Sequence, residues 1–182
     1  MRIMLLVGSL LVVVVPVTGQ EKLGQLPRFG VPAEPEVFPQ DAPKRLLSSL
    51  QKAFERKRMD YLLAHLLDPV FSERQMDHYY RQRFGKTRDE DRELSREERD
   101  RRERAALDLF VAEVNDHLAL EPKQTLLFFR LLKEGMVEES GTSATVRLPA
   151  NDSVSLTLRQ IEGRWYMLND RTAGTTTAPA KP

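Results

Sequence analysis

The hydrophobic period of this chain changes at Gly135, and that change limits its fold more than any other feature. Before Gly135, apolar residues recur every three to four positions in several stretches, the spacing of helices with one buried face. After it, Ala144, Val146 and Leu148 alternate with Thr145 and Arg147, and Val154, Leu156 and Leu158 alternate with Ser155, Thr157 and Arg159. A period of two belongs to strands with one buried face. Helices first and strands afterwards is the α+β order, with helices packed on one face of a curved antiparallel sheet.

Each helical stretch carries its own punctuation. Asp41 is placed to cap a helix with Pro43 in its first turn and Leu46, Leu47, Leu50, Ala53 and Phe54 on one face. Asp60 opens a second, whose Leu62, Leu63, Leu66 and Leu67 repeat the spacing until Asp68-Pro69. Ser72 with Gln75 reads as a capping box for a third, carrying Met76, Tyr79, Tyr80 and Phe84 and closing at Gly85. Ser95 with Glu98 opens a long fourth helix with Leu107, Phe110, Val111, Val114 and Leu118 inward, and Pro122 to Glu134 forms the fifth. Glu162-Gly163 turns one strand into the last, where Trp165 and Met167 share a face, and Met136 to Glu139 adds an edge strand. The sheet therefore has three to four strands.

The two ends read differently from this core. Residues 1–19 combine Arg2, an apolar run from Ile3 to Val17 and small residues at Val17-Thr18-Gly19, the layout of a signal peptide cleaved after Gly19. The expected location is outside the cytoplasm, periplasmic or secreted, with no membrane span after cleavage, because the run is shorter than the roughly 20 residues a spanning helix needs. Residues 20–40 hold Pro27, Pro32, Pro35 and Pro39 without any period and read as a Pro-rich linker. The domain is expected over 41–171, and the Thr, Ala and Pro of 172–182 form a disordered tail.

Charge excludes one class of partner. The chain has 28 Lys+Arg against 27 Asp+Glu, and removing residues 1–19, whose one charge is Arg2, leaves 27 of each. A nucleic-acid binder needs a basic excess, so no nucleic acid is expected. The densest run, 86–104, has eight charges of each sign, among them Glu97/Arg101, Glu98/Arg102 and Asp100/Arg104 at i, i+4. It reads as a charged, partly mobile insertion leading into a solvated extension of the fourth helix. There is no cysteine, so neither a disulfide nor a thiolate site is available.

The segment Ala53-Phe54-Glu55-Arg56-Lys57-Arg58-Met59-Asp60-Tyr61-Leu62-Leu63-Ala64-His65-Leu66-Leu67-Asp68-Pro69 resembles the first two helices of nuclear transport factor 2-like (SnoaL-like, cystatin-like cone) domains. The turn at Gly163 and Trp165-Tyr166 resemble the closing hairpin of the same domains. Lys57-Arg58 stand where many relatives have Gly-Asp, and the charged insertion has no general counterpart. The resemblance implies a cone-shaped α+β fold, a pocket between helices and sheet, and a sheet face that in relatives forms a dimer. It does not imply one activity, because the superfamily holds isomerases, dehydratases and non-catalytic modules.

Within that frame Tyr61 and His65, at i, i+4 with Asp68 one turn on, are the candidates for proton donor and base in an isomerase or dehydratase. The strand positions such an enzyme would use for an acid or base are Val, Leu, Ala and Trp here. Tyr79, Tyr80 and Trp165 are the candidates for pocket lining. Glu113 and His117, one helical turn apart with Asp116 beside them, lack a third ligand, so no metal and no cofactor are expected. The expectation is an exported, non-catalytic binding or interaction module whose partner is an unknown protein or a small apolar ligand, with a homodimer through the sheet face. The alternatives are a small-molecule enzyme using Tyr61 and His65, and a structural envelope-associated protein.

Overall fold

The computed structural model describes residues 26–149 and 151–169; the leader, its cleavage position and the tail from 172 lie outside them. In chain order the elements are α1 (Pro43–Glu55), α2 (Met59–Tyr61), a π-helical segment (Leu62–Leu66), α3 (Pro69–Phe84), α4 (Arg96–Leu120), α5 (Pro122–Glu134), β1 (Met136–Ser140), β2 (Ser143–Leu148), β3 (Asn151–Ile161) and β4 (Arg164–Met167). The strands pair antiparallel in the order β1-β2-β3-β4, so the fold is α+β with an open sheet.

Register follows from the alternation in the sequence. Val146 lies opposite Leu156, and Leu158 opposite Met167. That face carries Ala144, Val146, Leu148, Leu156, Leu158 and Trp165, all buried against the helices. The other face presents Thr145 opposite Thr157 and Arg147 opposite Ser155, a polar surface. Glu162 (φ 50°) and Gly163 (φ 78°) make the tight turn between β3 and β4, whose hand suits the twist of the strands. Gly135 is fixed by space: a Cβ there would collide with the Leu131 carbonyl and the Val146 side chain, so the end of α5 packs against β2 only with a glycine at this position.

Several expectations change, among them the cap of α1, where Ala42 rather than Asp41 stands at the N-cap and no side chain caps the helix. Residues 26–40 are not a linker outside the core, because Phe29, Val31, Phe38 and Gln40 are all buried. Arg28 and Val31 exchange backbone hydrogen bonds around a Phe29-Gly30 turn, and Gly30 lies close against the Asp100 carbonyl of α4. The prolines give this strap its extended path, while its apolar residues are spaced too irregularly to show a period.

The second helix is not a regular amphipathic one. After Tyr61 the chain widens into a π-helical turn, closed by Leu67 N–H to Leu62 O at 3.1 Å, and all eight residues Tyr61–Asp68 are buried. Asp68 then caps α3 by accepting from Val70 and Phe71 N–H at 2.7 and 3.3 Å. Ser72, read as the cap, lies inside α3 and donates its hydroxyl to Leu63 O at 2.8 Å. By contrast Ser95 does cap α4, accepting from Glu98 N–H at 3.2 Å.

The charged insertion is tied down. Arg88 pairs with Glu73 and Asp77 at 2.6 and 2.7 Å, and Asp91, only 4% exposed, accepts from Tyr80 Oη at 2.7 Å and Arg102 Nη1 at 2.6 Å. Arg28 joins Glu73 at 3.0 Å, and the guanidiniums of Arg28 and Arg88 lie 5.0 and 5.6 Å from the centroid of the Phe29 ring. Strap and insertion thus hold each other.

Candidate functional site

One apolar stripe continues past the core that should cover it. On α4, Ala106, Leu107 and Phe110 are buried, but Val111, Val114 and Leu118, farther along the same face, are only half-buried. Facing them across a gap are Phe54 of α1, Leu63 and Leu67 of the π-helical region, Phe71 of α3, Phe128 of α5 and Met167 of β4. The result is a groove of about 640 Å³. A second lobe of about 600 Å³ runs between α5 and the inner face of β3. The two share His117, Leu118, Phe128, Met167 and Asn169.

Local geometry explains why the stripe stays uncovered. Pro122 ends α4 and begins α5, and Thr125 Oγ1 donates to Leu118 O at 2.9 Å, fixing a sharp corner at Glu121. Beyond that corner α5 inclines onto β2 and β3, burying Leu131 and Leu132 while Leu126 stays 62% exposed. The rings of Phe128 and Phe129 turn back on Phe54, at 5.5 and 5.0 Å edge to face, and Phe54 and Phe128 form one wall.

Polar groups gather on the α3–α4 side: Gln75, Tyr79, Glu113 and His117. Tyr79 stacks on Phe110, with centroids 4.9 Å apart and 18° between planes. Burial, then the bond to the Glu113 carboxylate and its charge, push the Tyr79 hydroxyl up to about 12. It therefore stays protonated across the ordinary pH range rather than acting as a base. His117 Nε2 lies 3.9 Å from Glu121 Oε1 on the next turn.

Tyr61 and His65 are elsewhere. They are 0% and 2% exposed, ring on ring at 4.7 Å, and enclosed by the strap. Tyr61 Oη accepts from Glu34 N–H at 3.1 Å, and His65 Nε2 lies 2.9 Å from Val31 O, which the protonated nitrogen must meet. Burial pulls the imidazole down to about 4 against the partly offsetting bond to Val31 O, so the ring is neutral at pH 7. Neither residue lines either lobe of the groove. Their neighbour Gln40 is fully engaged: Nε2 donates to His65 O at 2.9 Å and Trp165 O at 2.8 Å, while Oε1 accepts from Arg164.

Of the three residues read as pocket lining, Tyr79 lines the groove. Tyr80 points to the opposite side of α3 toward Asp91, and Trp165 is core, 4% exposed. Glu113 and His117, weighed in the sequence as a metal pair, reach the groove as rim residues. Among the described residues no three His, Cys, Asp or Glu side chains converge as metal ligands, and no helix is long and apolar enough to cross a membrane. The groove's apolar walls, Met59, Phe71, Phe128 and Met167, were not singled out as site residues; α4's long stripe carried the signal, since its C-terminal half has more apolar surface than the sheet can cover.

No family model, curated protein or solved structure matches this chain.

Proposed function

We propose that this chain is a non-catalytic binding module, working outside the cytoplasm, that holds an elongated apolar small molecule in the two-lobed groove between α3, α4, α5 and the sheet. The observation that carries this reading is the pair of joined lobes, about 640 and 600 Å³, with mostly aliphatic and aromatic walls and polar groups confined to the rim. Their size and lining fit a drug-sized or single-chain ligand. The rim offers a protonated phenol, a carboxamide and carboxylates, which orient a ligand by hydrogen bonds. The leader-like residues 1–19 support placement outside the cytoplasm, and the likeness to cone-shaped domains, whose pockets also lie between helices and sheet, supports the place of the site.

The test is the fluorescence of a neutral apolar probe, N-phenyl-1-naphthylamine, titrated with the protein. Val114→Trp fills the first lobe and should weaken probe binding by about tenfold or more, the loss of about 1.4 kcal/mol of contact, with an unchanged circular dichroism spectrum. Binding that ignores this substitution, or no binding by the native chain, overturns the reading.

A further inference from the structure

The groove's charge is one-sided. Among the described residues, no Lys or Arg lines either lobe. The full charges that do line it among the described residues are carboxylates, Glu113 in the first lobe and Glu121 in the second, with His117 between them along the chain. Among the described lining residues, a ligand with a carboxylate head would face two like charges and no guanidinium or ammonium. A ligand with an ammonium head would meet carboxylates instead, which attract it through charge.

Resting on the binding role proposed above, we infer that the groove selects cationic single-chain amphiphiles, an alkyl chain ending in an amine or quaternary ammonium, over fatty acids. The chain lies along Phe71, Phe128, Leu118 and Leu131, and the head sits at the rim between Glu113 and Glu121.

The experiment displaces bound N-phenyl-1-naphthylamine with dodecyltrimethylammonium or dodecanoate, both below their micellar concentrations, at low salt and pH 8. The ammonium compound should compete at about tenfold lower concentration, the size expected of one partly screened charge pair. In the double variant Glu113→Gln, Glu121→Gln that ratio should fall to near one, and in the native chain it should shrink with added salt. Equal or better competition by dodecanoate, or a ratio unmoved by the double variant, overturns the charge selection while leaving the groove's occupancy standing. Failure of the native chain to bind the probe at all overturns both.

Discussion

The two sides of the helical layer are built by opposite rules. Where the strap 26–40 covers the π-helical segment, every buried polar side chain has a partner: Gln40 makes three hydrogen bonds, Ser49 donates to Pro39 O, and His65 meets Val31 O. Across the sheet edge, Trp165 N–H donates to Gln40 O and Asp68 N–H to Met167 O, so β4 is closed off by backbone from the helical half. Where α4 overhangs α5 the walls are apolar and nothing among the described residues lies over them. A closed polar network in low dielectric fixes one conformation, because each lost partner is costly. An open apolar groove adds little to stability and leaves surface available for a ligand. Position in the fold, not residue type, separates His65 from His117: His65 is structural and His117 stands at the groove's rim.

The difference can be broken from either side. Phe38, 1% exposed and stacked on Tyr61 at 4.2 Å, is the strap's main anchor. Phe38→Ala should lower unfolding free energy by about 3–5 kcal/mol, measured by chemical denaturation. The His65 effect is of similar size but depends on pH. An unfolded imidazole takes its proton near 6.5 and the folded one only near 4. Above 6.5 both are neutral and the fold keeps its full stability. As pH falls from 6.5 to 4, the unfolded chain binds a proton that the native state refuses, and stability should decline by about 3 kcal/mol before levelling. His65→Gln should flatten that segment of the stability–pH curve, leaving the acid-side loss from carboxylates such as Glu73, which burial raises but Arg88 and Arg28 hold below the usual range.

Tyr80→Phe removes the hydroxyl that anchors Asp91, so it should lower the melting temperature by less than the strap truncation and speed amide exchange in 86–94. The smallest effect belongs to the groove. Leu118→Gln, on a half-buried wall position, should change stability by under about 1 kcal/mol while weakening apolar probe binding. A large stability loss there would mean that the groove is ordinary core.

Much of the fold was legible. The period change placed the sheet, α5 and its stop at Gly135 came out as read, and Ser95-x-x-Glu98 marked the start of α4. The strap was not, because Phe29, Val31 and Phe38 pair with residues far along the chain and leave no local period. One signal for it was present: Tyr61 to Leu67 holds no charge, and a helical stretch apolar all round must be covered on every side. The insertion was misread because balanced charge looks solvated in sequence, whereas the bonds that hold Arg88 and Asp91 come from α3 and α4. Of the site, Tyr79 was found through its helical neighbours. Glu113 was weighed only with His117 as a pair lacking a third metal ligand, and its place on the groove was missed, since nothing local reveals that α4 outruns its cover.

The central claim is that one side of the helical layer is sealed and the other receives a ligand. Backbone amide chemical shifts of the isotope-labelled protein, followed while dodecyltrimethylammonium is added below its micellar concentration, test it directly. Shifts concentrated at Phe71, Gln75, Phe110 to Leu118, Phe128 and Met167, with Val31, Tyr61 and His65 unmoved, are the predicted result. Saturable shifts centred on the strap, or none at the groove, would contradict it.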